Sequence, residues 1–122
     1  MRRKFFDAPK GTKWARQILW RKMILSEWGP RSTVRLVLMS LHARMDYLGL
    51  AWPSIRTITR DSGLCQKTVS KALTEAVSEK WLRRELMPAN DGSWANYKYQ
   101  SRFPKSVLDV LTEAERDNAK AA

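Results

Sequence analysis

Cysteine and histidine each occur once in 122 residues. A single thiol cannot close an internal disulfide, which agrees with a reducing cytoplasm as the expected location. The single imidazole, His42, has no second histidine or carboxylate cluster at ligand spacing, so it cannot build a metal or catalytic site by itself. A structural or solvated histidine is the expectation. The chain has no phosphate loop and no nucleophile paired with a base, and Cys65 and His42 fall in different predicted helices. We therefore expect no enzyme, no cofactor and no metal. Nor does any apolar run approach the roughly 20 residues that a bilayer span requires, so no membrane partner is expected. The opening MRRKFF is basic, but no continuous apolar region or small-residue cleavage site follows, and it is not read as a signal peptide. Internal repeats and low-complexity tracts are missing as well.

Acids are scarce too. Twelve Asp and Glu stand against 23 Lys and Arg, a formal net charge of +11. Held on a compact surface, that excess favours polyanions through counterion release, which makes nucleic acid the leading partner class. Charge that merely keeps the protein soluble is the competing reading. A hydrophobic fraction of 43% is ordinary for a folded chain, and the length suits one modest core. The excess is concentrated. Residues 1–35 hold ten bases against two acids, and residues 54–84 hold seven against three. Both stretches are expected to touch a nucleic-acid backbone, the second alone to read bases.

What is present is organised around residues 53–84, PSIRTITRDSGLCQKTVSKALTEAVSEKWLRR. The spacing predicts a first helix near Ser54 to Asp61, with Ser54 as N-cap, Ile55, Ile58 and Thr59 inward, and Arg56, Thr57 and Arg60 outward. Gly63 supplies the permissive backbone of a sharp helix-to-helix turn. A second helix near Gln66 to Glu79 places Val69, Ala72, Leu73, Ala76 and Val77 on an inward stripe. Gln66, Lys67, Thr68, Ser70, Lys71 and Thr74 are left outward, and these side chains can reach phosphates and base edges.

These residues carry a resemblance. Trp52-Pro53-Ser54, Ile55-Arg56-Thr57-Ile58, Gly63-Leu64 and Lys67 to Leu73 resemble the winged helix-turn-helix domain of phage and plasmid regulators, replication-initiator N-terminal domains and many bacterial repressors. The pattern extends from Ser32 to about Arg102. It implies a mainly α fold with a small β-hairpin. Cys65 departs from it, since related domains usually carry Ser at this helix start; a thiol caps poorly. A redox switch is one use for Cys65, and neutral substitution is the other.

Around the motif, residues 1–12 are expected to be a flexible basic arm with Arg2, Arg3 and Lys4, able to lie along phosphates or simply to add field. A domain over 13–103 follows, with an N-terminal extension read as a helix from Lys13 to about Glu27, or alternatively as a strand through Gln17 to Ile24. Trp14, Trp20 and Trp28 there are too many for one small helix to hide, so they pack on the domain or make a dimer contact. A scaffold helix should begin near Ser32, with Ser32 as cap and Val34, Leu36, Val37, Leu38, Leu41 and Met45 mostly buried. Leu48 to Trp52 allow one short strand, with Trp52 plugging the core. After the motif, Trp81 to Met87 and Trp94 to Gln100 read as two strands of a wing joined at Asp91-Gly92. Arg83, Arg84, Ser93, Asn96 and Lys98 are its candidates for phosphate or minor-groove contact, while Trp81, Leu82, Tyr97 and Tyr99 face or border the core. Residues 104–122 turn acidic and are assigned to a short helix and tail, docked on the domain or on a partner subunit.

The expected function is sequence-specific binding of double-stranded DNA, by a transcriptional regulator that forms a homodimer on an inverted repeat. Gln66, Lys67, Ser70 and Lys71 would lie nearest base edges; Arg56, Thr57, Arg60 and Thr68 would hold phosphates. A replication or partition accessory protein on repeated sites is the alternative, and a protein-interaction module on a winged fold the second.

Overall fold

The computed structural model describes residues 13–88 and 96–120. The first element is a helix, not a strand: α1 spans Ala15–Ile24 and α2 spans Ser32–His42. On α1, Leu19, Trp20 and Ile24 are buried at helical spacing, but so are Arg16 and Gln17. Trp20 is fully buried, and its indole N–H donates to the carbonyls of Trp81 (3.2 Å) and Arg102 (2.8 Å), which are themselves joined by the Arg102 N–H to Trp81 O bond, so that one end of the sheet is secured to α1. Trp14 and Trp28, by contrast, are about half exposed.

The scaffold helix differs from expectation in two respects. Arg31, in an extended conformation, occupies the N-cap position, and Ser32 is already the first helical residue without a side-chain cap bond. Val34, Val37, Leu38 and Leu41 are buried, while Leu36 is 43% exposed. Leu36 falls outside the stripe that positions 34, 37, 38 and 41 define at helical spacing.

The chain then forms β1 (Leu50–Ala51), α3 (Ile55–Ser62) and α4 (Gln66–Ser78), followed by β2 (Leu82–Met87) and β3 (Asn96–Ser101). The sheet order is β1-β3-β2, antiparallel throughout, with Ala51 opposite Tyr99 and Arg84 opposite Tyr99 on the other side. Residues 89–95, with the expected turn and Ser93, lie outside the described residues, as does the basic arm with Arg2, Arg3 and Lys4. One contiguous core joins Trp20, Ile24, Val34, Val37, Leu38, Leu41, Ile58, Val69, Leu73, Leu82 and Tyr99. Trp52 does not plug it. Ala51 points inward at 3% exposure, so its neighbour on the pleat points out, and Trp52 is 55% exposed.

Two helices, not one, close the described chain: α5 (Lys105–Leu108) and α6 (Glu113–Lys120). Thr112 and Glu115 form a reciprocal capping box at the start of α6, with N–H to side-chain oxygen distances of 2.9 and 3.2 Å. Leu111 and Ala119 then pack with Leu19 of α1 in a second small cluster. Beside it, the Arg16 guanidinium reaches Ala119 O, Ser101 O, Ser101 Oγ and Gln17 Oε1. One buried cation thus ties α1, β3 and α6 together through neutral acceptors, and burial lowers its pKa from the ordinary arginine value. With six helices and one three-stranded sheet among the described residues, and α3 and α4 joined by a tight turn, the architecture is mainly α with a small β-sheet: a winged helix-turn-helix.

Candidate nucleic-acid interface

The turn between α3 and α4 is made as its residues dictate. Gly63 has φ of 76°, in the left-handed region, and ends α3 with its N–H on Thr59 O. Ser54 caps α3: its Oγ accepts from the Thr57 N–H at 3.1 Å and donates to Thr57 Oγ1 at 3.0 Å. Both hydroxyls are therefore engaged locally, and Thr57 is half-buried, whereas Arg56 and Arg60 are exposed. Thr59 is partly buried, and its Oγ1 finds no hydrogen-bond partner among the described residues.

On α4, Val69, Ala72, Leu73 and Ala76 are buried and Val77 borders them. Gln66, Lys67, Ser70, Lys71 and Thr74 are exposed on the opposite side, and Thr68 is half-buried. Cys65 sits at the N-cap in the extended conformation a cap requires but makes no capping bond. Its sulfur instead lies 3.1 Å from Thr68 Oγ1. That hydroxyl, followed by backbone amides at the helix start, draws the thiol pKa below its ordinary value. α4 ends at Ser78 with Glu79 as its C-cap; Lys80, just beyond, adopts φ of 69° while the Trp81 N–H returns to Ala76 O.

The two faces of the wing strands differ. Cross-strand partners share a face, so Arg83 with Gln100, Glu85 with Lys98, and Met87 with Asn96 lie on the side away from the core. Lys98 Nζ is 4.0 Å from Glu85 there. Arg84 lies on the other face: its guanidinium sits 4.6 Å over the Tyr97 ring, with Nη2 3.4 Å from Thr74 Oγ1. The structure therefore brings Gln66, Lys67, Ser70, Lys71, Thr74 and Arg84 to one region and turns Arg83, Asn96 and Lys98 elsewhere.

Two ion pairs that sequence reasoning missed frame this region. Arg31 holds Glu75 of α4, and Arg44 holds Asp61 of α3. Each carboxylate is kept below its ordinary pKa, first by the arginine's hydrogen bonds. The acids are visible in the sequence, but their partners lie 44 and 17 residues away, beyond any local pattern. His42 is structural: Nε2 lies 3.2 Å from Gln17 O, the ring stacks on Trp20 at 6.0 Å, and burial with the Arg21 charge lowers its pKa. Among the described residues, no group of three or more His, Cys, Asp or Glu is placed to hold a metal. No helix among them is long and apolar enough to cross a membrane.

The geometry defines a helix-turn-helix with its second helix exposed on a polar face, and the comparisons agree. Residues 31–82 match the model of a family described as a helix-turn-helix domain, which supports DNA binding. The chain is similar to Protein YmfN of Escherichia coli (strain K12), with 33% identity over 63 residues, or 52% of this chain. The matched stretch spans only 14% of that relative's length. No solved structure matches.

Proposed function

We propose that this protein binds double-stranded DNA sequence-specifically, as a transcriptional regulator of the phage or plasmid kind. In this reading α4 enters the major groove, with Gln66, Lys67, Ser70 and Lys71 at base edges. Gln can pair with adenine in a bidentate manner and Lys can reach guanine acceptors. Arg56, Arg60, Thr68 and Arg84 hold phosphates, Ser54 and Thr57 set the pitch of α3, and the basic arm and the remaining wing residues add sequence-independent attraction. The observation that carries the reading is the exposed polar row at 66, 67, 70, 71 and 74, set opposite a fully buried apolar stripe on the same helix. A second copy of the chain on an inverted repeat is part of the proposal, supported by the exposed Trp14, Leu25 and Trp28.

Selection of duplexes from a random library, followed by titration of variants on the winner, tests it. Gln66→Ala and Lys71→Ala are each expected to weaken the selected duplex by about 1–3 kcal/mol while leaving random duplexes little changed. Both variants binding the selected duplex as the parent does would defeat the assignment of α4. Sites that map to origin-like repeat arrays would shift the role to replication or partition.

A further inference from the structure

The helices of the motif carry two acids, Asp61 in α3 and Glu75 in α4, and each is held by an arginine from a flank of α2. The Glu75 pair has the more hydrogen bonds, three against two. Arg31 Nε donates to both carboxylate oxygens at 3.0 and 2.8 Å, and Nη2 donates to Oε1 at 2.8 Å. An ion pair as exposed as this one, with the Arg31 side chain at 49%, contributes little to stability because water screens it. Its location gives it another use. Glu75 lines a shallow, open trough of about 560 Å³ together with Ser70, Lys71 and Thr74, the very side chains assigned to DNA. Ser78 and Glu79 continue the trough, and the charges of Lys71 and Glu79 act on the pair. A bare carboxylate one turn beyond Lys71 would repel the phosphates that this lysine attracts.

We propose that Arg31 is a charge-masking, positioning residue: by chelating Glu75 it turns an acidic step on the reading helix into a neutral one, so that α4 presents a positive edge to duplex DNA. The inference rests on the DNA-binding reading above. It assigns Arg31 to the carboxylate, not to a phosphate.

Parent, Arg31→Ala, Glu75→Gln, the double variant Arg31→Ala/Glu75→Gln, and Arg31→Ala/Glu113→Gln are titrated by fluorescence anisotropy against the selected and a random duplex, with melting curves recorded alongside. Arg31→Ala is expected to lose affinity for both duplexes, on the order of fivefold at low salt and less at high salt, without a matching loss of Tm. Removing the exposed carboxylate as well is expected to restore affinity to within about twofold of the parent. The Glu113→Gln pairing restores the same net charge at distant α6 and is expected to recover much less. Persistent weakness of Arg31→Ala/Glu75→Gln would overturn the proposal, because Arg31 would then be touching phosphate itself; equal recovery with Glu113→Gln would overturn it as a mere net-charge effect. A parent that binds no duplex ends the DNA-binding reading as well, and is distinguished by affecting every protein in the set.

Discussion

On the α1 side of the molecule, Arg16 is buried at 8% exposure and directs its donors to neutral oxygens of Gln17, Ser101 and Ala119, whereas on the motif side Arg31 and Arg44 remain exposed and pair with carboxylates. The first arrangement holds elements together. A buried guanidinium without its acceptors, or the acceptors without it, leaves desolvated polar groups unmet. The second leaves stability nearly untouched but decides which charges the surface shows. The comparison separates the arginines that build the fold from those that shape its field, and each substitution below strains one side of it.

Arg16→Ala is expected to have the largest effect, roughly 3 kcal/mol of lost stability in urea denaturation, because it orphans several buried acceptors at once. Arg44→Ala should leave the same midpoint close to that of the parent. Glycine makes a parallel contrast. A Cβ on Gly49, at φ of 79°, would lie 2.0 Å from Ser101 Oγ, 2.7 Å from Gln17 Oε1 and 2.9 Å from Arg16 Nη1, inside the buried cluster. On Gly63, at φ of 76°, it would meet nothing within 4 Å. Gly49→Ala is therefore expected to cost more than about 2 kcal/mol and Gly63→Ala about 1, the backbone strain alone.

His42 gives the next effect, through pH. Its folded-state pKa is lowered, so the unfolded chain binds the proton more readily; stability is present above the unfolded pKa and falls as pH drops through about 6.5 toward the lower folded value. Tm should decline by a few degrees between about pH 7.5 and 5.5, and His42→Gln, which keeps a donor for Gln17 O, should flatten that slope. With one histidine in the chain, no other imidazole competes in this window. A small effect of opposite sign belongs to Cys65→Ser. A hydroxyl at an N-cap already in the extended conformation should raise Tm by about 2 °C with no loss of DNA affinity.

Much of the motif was legible in the sequence because its determinants are local. The apolar spacing of Ile58, Val69, Leu73 and Ala76, the Ser54 cap and the Gly63 turn each act within one or two turns of helix, and each appears where the spacing predicts it. A short strand also forms within the stretch expected for it, at Leu50–Ala51, where it pairs with β3. Readings failed where a side chain's direction is set by long-range pairing. Trp52 faces solvent because Ala51 takes the inward step of the pleat, and which of the neighbours Arg83 and Arg84 lies on the core side is decided by pairing, which sets Arg84 opposite the buried Tyr99. The Arg16 cluster joins residues 85 and 103 positions apart, so an arginine on a helix rich in bases gave no sign of being buried. Lys80 closes α4 in a left-handed conformation that glycine usually supplies, and composition offers no signal for it.

The most direct test of the whole account is a two-dimensional amide NMR titration of the full chain with its selected duplex. Amides of residues 66–74 on α4, with Arg84 beside them, are expected to shift first and furthest, while those of α1 and α6 around Arg16 stay in place. Shifts concentrated on α1 and α6, with residues 66–74 unmoved at saturation, would contradict it.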